Sequence, residues 1–219
     1  MQKCRHCNSE AIIKYGKTKN GTQIFFCKEC RRRSQEKYSY NSYLVANLEL
    51  IKLVKEGLGI RSISRILKIS SSTVIKRIKR IARSIKRKTE FTSSKEYEID
   101  ELATFVSNKN KRVWITYAIR KDTREVIDFR IGNRSKKTMR PVITSVLLLN
   151  PKKVYTDRFP NYRSLIPFEL HSIKKRGTNY IERKNLTLRT HLKRLNRKTI
   201  CYSKTSSMLE ASLKIYFWS

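Results

Sequence analysis

Acidic side chains are scarce in this chain: 17 Asp and Glu stand against 51 Lys and Arg, a surplus of 34 positive charges over 219 residues. A folded chain tolerates such self-repulsion best beside a polyanion, which points to nucleic acid. An anionic membrane surface is the competing polyanion, but the basic residues are spread through patterned segments, with no lipidation or polybasic-tail signature. Long apolar runs are missing too. The longest, around Val146-Leu-Leu-Leu149, is far short of a membrane span, and the N-terminus carries no apolar signal core. No membrane partner is expected, and the chain reads as cytoplasmic and nucleoid-associated. Glycine (6) and proline (4) are few, with no Ser/Gly-rich run, which argues against long flexible linkers.

Four of the five cysteines form two tight pairs, Cys4-Arg-His-Cys7 and Cys27-Lys-Glu-Cys30, with 19 residues between them. That spacing suits a tetrahedral four-sulfur zinc site, whereas an x2 spacing strains a local disulfide. Such a zinc is structural, because four sulfur ligands leave no open position for water. Residues 1–40 read as a zinc ribbon, with strands at 11–16 and 22–27 flanking the turn Lys19-Asn20-Gly21. Arg31, Arg32 and Arg33 follow the last knuckle and are candidate phosphate contacts. Cys201 has no nearby partner and reads as a small buried apolar residue.

Residues 41–90 read as an all-α helix-turn-helix. One helix spans 43–56 and stops at Gly57-Leu58-Gly59, a second spans 61–67, and Ser70, Ser71 and Ser72 offer N-caps for a third. Val74, Ile78, Ile81 and Ile85 fall on one stripe of that third helix. Residues 61–88 hold 11 Lys or Arg and no acid, so Ser72, Thr73, Lys76, Arg77 and Arg80 are candidates for facing a DNA groove.

From about residue 95 the period changes from helix to strand. Strands at 97–102, 112–120 and 125–131 make an antiparallel meander. A helix over 137–149, a strand at 153–156, a short helix near Tyr162, a strand near 169–173 and a basic helix over 179–197 follow. The order βββαβαβα over residues 91–219 is that of a ribonuclease-H-like α/β domain. The chain is therefore expected to be multidomain: zinc ribbon, helix-turn-helix, then this α/β catalytic domain.

Only 11 acids lie beyond residue 95, so each can be weighed. Asp100 is mid-strand in the first strand of the meander, and Asp157 ends the fourth. If those strands are neighbours, the two carboxylates meet at one edge of the sheet. Glu182, in the first turn of the last helix, is the sole acid among 11 basic residues from Ser172 to Lys204. An isolated carboxylate in such a field is either an ion-pair partner or a ligand for a metal ion. Asp100, Asp157 and Glu182 are the candidate trio for Mg2+ or Mn2+, ions that prefer oxygen donors and drive in-line displacement at phosphorus. Asp122 and Asp128 read as ion-pair partners. Glu98 shares a strand face with Asp100, and the sequence separates the two poorly.

The cysteine pairs and helix-turn-helix, followed by Glu98-Ile-Asp100-Glu-Leu, Lys111-Arg-Val-Trp-Ile, Thr123-Arg-Glu-Val-Ile127, Tyr155-Thr-Asp157, Ile181-Glu-Arg-Lys-Asn185 and Arg197-Lys-Thr-Ile-Cys-Tyr-Ser-Lys204, resemble the bacterial insertion-sequence-one transposase family over nearly the whole chain. The resemblance implies a DDE-type transposase. Asp100, Asp157 and Glu182 would be its metal-binding acids, and the two N-terminal modules would recognise terminal inverted repeats. Cleavage would expose 3′ hydroxyls that attack target DNA. One departure is Ala103, where a Trp is expected beside the first Asp.

Helical geometry adds Asn185 and Arg189 on the face of Glu182, as groups that orient a substrate phosphate or a metal-bound water. Lys193, Arg194, Arg197 and Lys198, continuing that helix, are expected on backbone phosphates, and His171 and His191 are expected to be hydrogen-bonded structural residues. Two element ends have to meet, so a homo-oligomer, at least a dimer on double-stranded DNA, is expected. The rival expectation is a non-catalytic DNA-binding regulator that keeps the ribbon and helix-turn-helix.

Overall fold

The computed structural model describes residues 3–36, 43–87 and 93–219, which fall into two compact units, 1–46 and 47–219. The domain boundaries expected at 40/41 and 90/91 lie outside the described residues.

In the first unit, β1 (Ile12–Lys17), β2 (Gln23–Cys27) and β3 (Arg33–Gln35) form an antiparallel sheet, with Ile12 opposite Cys27 and Phe26 opposite Arg33. The third strand was not expected, since its residues read as a cationic run. Its start is fixed by Tyr15, whose ring lies 4.5 Å from the Arg33 guanidinium and whose hydroxyl accepts from it at 3.2 Å. Only Cys4, Phe25 and Cys27 are buried among the described residues of this unit. So small an apolar core does not hold a sheet without a cross-link.

The second unit begins with α1 (Tyr43–Lys55), α2 (Ile60–Ile66) and α3 (Ser71–Ser84). Gly57 takes a left-handed φ of +71° just after α1, and a Cβ there would lie 1.9 Å from the His191 carbonyl oxygen; both facts demand glycine. Ser70 caps α3 by accepting from the Thr73 amide at 3.1 Å. Val74, Ile78 and Ile81 of α3 pack with Leu50, Val54 and Ile63, while Ile85 lies just past the helix end and is partly buried.

A five-stranded sheet follows: β4 (Glu96–Val106), β5 (Asn108–Arg120) and β6 (Val126–Gly132) are antiparallel, and β7 (Lys153–Tyr155) and β8 (His171–Ser172) run parallel to β4, giving the order β6-β5-β4-β7-β8. Between them come α4 (Lys136–Leu147) and α5 (Pro160–Arg163), and after them α6 (Asn179–His191). The central strand is covered on both faces. Tyr97 and Ile99 pack against Met139, Val142 and Ile143 of α4, and Leu102 and Val106 pack in the cluster of Ile181 and Leu188 of α6. Arg87, beyond α3, reaches buried Asp128 of β6 at 3.3 Å, and Ser145 donates to the same carboxylate at 2.7 Å.

The last expected helix is shorter than its basic pattern suggests. It ends at His191 because Leu192 turns extended, and the chain folds back through a 3-10 turn, Lys193–Leu195. A further helix, α7 (Ser206–Trp218), capped by Thr205, was not expected. Met208, Ala211 and Ile215 of α7 join the core of α1 to α3, and Leu209 and Leu213 join the core beneath the sheet. Burial on two sides erases the single apolar stripe that a sequence reading looks for. Ile215→Ala should cost about 2–5 kcal/mol, the range for a fully buried aliphatic truncation. Urea denaturation reads this directly, and a loss under about 1 kcal/mol would mean that α7 contributes little to the joint core.

Candidate metal centres

Sulfur geometry decides the first centre. Cys4 and Cys30 Sγ lie 3.6 Å apart, as do Cys7 and Cys27 Sγ, and all four sulfurs fall within 4.8 Å of one another. Tetrahedral zinc with sulfurs at about 2.3 Å requires sulfur separations of about 3.8 Å, so the donor set fits. The His6 amide donates to Cys4 Sγ and draws its pKa down to about 6, towards the thiolate that a metal takes, while burial and the neighbouring sulfurs push the Cys7 and Cys30 thiols up.

The second centre grows from strand register. Glu98 pairs with Tyr155 across the parallel β4/β7 ladder, so Asp100 and Asp157, two residues further along, come level. Carboxylate oxygens of Asp100, Glu101 and Asp157 lie within 4.8 Å of one another, an all-oxygen donor set that suits Mg2+ or Mn2+. Asp157 Oδ1 accepts from the Phe159 amide at 2.9 Å, a side-chain turn that leads the chain into α5. Asp100 Oδ2 accepts from Asn185 Nδ2 at 2.7 Å, and Asn185 Oδ1 accepts from the buried Tyr117 hydroxyl at 2.8 Å. Burial pushes the Asp100 pKa up to about 7, opposed by the Glu101 amide and reinforced by the charges of Glu101 and Asp157.

Glu101 escaped the sequence reading because alternation along β4 sends it to the face opposite Asp100. It is buried, and burial raises its pKa. Arg134 donates to it at 3.2 Å and reaches Asp157 at 3.6 Å, with its guanidinium 3.8 Å from the Phe159 ring and 4.7 Å from the Trp114 ring. Trp114 is the ladder partner of Ala103.

Glu98 parts from Asp100 by its partner. Fully buried, it accepts from the Ile181 amide at 2.7 Å and so caps the N-terminus of α6, where the helix dipole favours a negative charge. Glu182 lies outside the grouped carboxylates: it is exposed, and its Oε1 accepts from Thr178 Oγ1 at 2.8 Å. In that turn Ile181 takes the inward position, which turns the next residue about 100° away.

Asn185 and Arg189 are bonded within the protein: Asn185 holds Asp100, and Arg189 donates to the Leu195 carbonyl at 2.9 Å. Lys193 and Arg197 do not continue a helix, and Arg194 donates to Ser203 Oγ at 3.1 Å. Arg197 and Lys198 are exposed, as are Arg31, Arg32, Lys76 and Arg80. Ser72 and Thr73 hydroxyls lie 2.9 and 2.8 Å from Ser70 Oγ in the cap of α3, and Arg77 is half-buried. Asp122 pairs with Lys95 and Arg120. His171 Nε2 bonds Thr156 Oγ1 at 2.7 Å and His191 Nδ1 bonds the Tyr216 hydroxyl at 2.6 Å. Cys201, expected buried, is exposed; Thr199 and Ser203 take the inward positions of that loop. Among the described residues no helix is long and apolar enough to cross a membrane.

Two outcomes follow from these geometries. An Asp100 pKa raised in the folded state makes its ionisation unfavourable, so in metal-free protein its contribution to stability should fall as pH rises from about 4 to about 7. Melting temperatures at pH 5 and pH 7.5 should therefore differ more in the wild type than in Asp100→Asn, and equal differences would refute it. Elemental analysis should find one zinc per chain, lost in Cys7→Ser together with the fold of residues 3–36 as read by amide protection.

The acidic residues sit inside the segment that known proteins share. A family model described as IS1 transposase matches residues 94–217. The insertion element iso-IS1n protein InsB of Shigella dysenteriae is 36% identical over 113 residues, covering 52% of this chain and 86% of that protein. The insertion element IS1 protein InsB of Shigella flexneri is 36% identical over 108 residues, covering 49% and 82%. Among solved structures, a simian T-cell lymphotropic virus intasome in complex with PP2A regulatory subunit B56 gamma matches at 15% identity and a TM-score of 0.34, over 64% of this chain and 59% of that one. With both Asp100 and Asp157 in the matched segment, the chain belongs to the IS1 transposase family.

Proposed function

We propose that this protein is a DDE-type DNA transposase of an insertion sequence, with a zinc ribbon and a helix-turn-helix that bind terminal inverted repeats and a ribonuclease-H-like domain that cuts and joins DNA. The observation that carries this reading is the β4/β7 register that levels Asp100 with Asp157. Family membership and the sheet order, with three antiparallel strands and two parallel ones beside the first, support it.

Divalent ions, Mg2+ or Mn2+, would supply the Lewis acidity that activates an attacking water or hydroxyl and stabilises the leaving 3′ oxygen. Asp100 and Asp157 would hold them, with Glu182 as the third acid of the proposed site. It stands one helical turn before Asn185, with its Oε1 accepting from Thr178 Oγ1. Asn185, oriented by Tyr117, keeps the Asp100 carboxylate aimed at the site. Exposed Lys76 and Arg80 of α3, Arg31 and Arg32 of the ribbon, and Arg197 offer charge to backbone phosphates. Both element ends have to be held at once, so the working form is at least a dimer on DNA.

Nicking of a plasmid that carries the element ends tests this reading. With Mg2+ or Mn2+ the wild type should cleave, and Asp157→Asn should cut at least about a hundredfold more slowly, as loss of several kcal/mol of metal stabilisation requires. End binding by the variant should be retained. A wild type that binds ends and never nicks them would leave the non-catalytic regulator as the account.

A further inference from the structure

Three carboxylates stand within reach of one ion, yet Glu101 is the one that a cation of the protein holds most closely. The Arg134 guanidinium is fixed from several sides. Phe159 and Trp114 rings contact it, Glu101 accepts from it at 3.2 Å, and Asp157 lies further off at 3.6 Å. An arginine fork stacked on aromatic rings loses little freedom on bonding, so this pairing is pre-organised. Glu101 is fully buried in its side chain and has the Tyr162 hydroxyl beside it, whereas the Asp157 side chain is 43% exposed. The stronger hold is therefore on the acid that faces inward, and the weaker one on the acid that opens to the edge of the sheet.

We propose, on the metal-site reading above, that Arg134 is a positioning residue that keeps Glu101 out of the metal centre and reserves the ions for Asp100, Asp157 and Glu182. The number and charge of carboxylates around a hard cation set its affinity. One carboxylate more than Asp100, Asp157 and Glu182 would tighten the ions and fill positions that the scissile phosphate and the attacking oxygen need. By engaging Glu101 the guanidinium keeps those positions open.

Mn2+ binding to the full chain supplied with zinc, followed by the electron paramagnetic resonance of free Mn2+, tests this without any turnover. Arg134→Met should bind Mn2+ about tenfold more tightly, as one more carboxylate joins. In Arg134→Met with Glu101→Gln the gain should vanish, and Glu101→Gln alone should stay within about twofold of wild type. A gain that survives in the double variant would mean simple charge repulsion and would overturn the proposal, as would no gain, or a tenfold loss in Glu101→Gln. Should thermal melting find Arg134→Met unfolded, Glu101→Gln decides between the same two outcomes. Asp157→Asn separates the layers: if it leaves Mn2+ binding unchanged, or the wild type binds none, the metal-site reading falls and takes this inference with it. If Asp157→Asn weakens binding while the Arg134 results fail, the inference alone falls.

Discussion

Pairing of β7 beside β4 in parallel, with Tyr155 opposite Glu98, is the constraint on which the acidic site depends. A slip of one residue would turn Asp100 or Asp157 to the other face and separate them. Register here is held by burial on both faces of the sheet, Tyr97, Ile99 and Val154 packing with α4 on one side and Leu102 and Val106 packing in the core of α6 and α7 on the other. A central strand covered in this way is ordinarily a continuous apolar run. This one carries acids at 98, 100 and 101, and each is accommodated differently. Glu98 takes a helix N-terminus, Glu101 takes Arg134, and Asp100 takes Asn185 and is left with a raised pKa. Burial raises the pKa of the first two as well, and each keeps one carboxylate oxygen without a hydrogen bond. Asp100 differs in its place: it stands level with the half-exposed Asp157 at the edge of the sheet, where a raised carboxylate can meet a cation from outside.

Charge distribution adds a second layer. A chain with 34 surplus positive charges attracts phosphodiesters over much of its surface, but a pocket of three carboxylates repels them. A divalent cation reverses the local sign and lets a phosphate approach the acids that the fold has gathered. Arg134 moderates the same field from within, since it lowers the net charge that the ions have to meet.

Much of this was legible in the sequence because it rested on local periodicity. The cysteine spacing, the Ile stripe of α3 and the meander all follow from residues read at short range, and the elements stand where those patterns fall; the Asp100/Asp157 pair hung on the expectation that their strands are neighbours. What was not legible depended on distant partners. Glu101 lies on the wrong face by alternation, and Arg134 sits in a turn with no pattern of its own. The end of α6 is set by the fold-back of Leu192 and the Arg189 bond to Leu195. Helix α7 lacked a one-sided stripe because it is buried by two cores at once, and Cys201 was expected inside because residue type says nothing of which loop positions face inward.

That two-sided burial of α7 has a mechanical meaning. Helices α1 to α3 could have hung from the sheet by the segment after α3 alone, free to reorient. Instead Met208, Ala211 and Ile215 are part of their core, Arg87 is paired with Asp128 of β6, and Gly57 lies against the His191 carbonyl at the end of α6. Three contacts of different chemistry, apolar, ionic and steric, join the same two bodies at separated points. A rotation about any one of them breaks the other two, so α3 is carried at a fixed offset from β4. If α3 reads DNA as proposed, the distance between the bases it contacts and the phosphodiester facing Asp100 is a property of the fold, and the position of the cut follows from the position of binding.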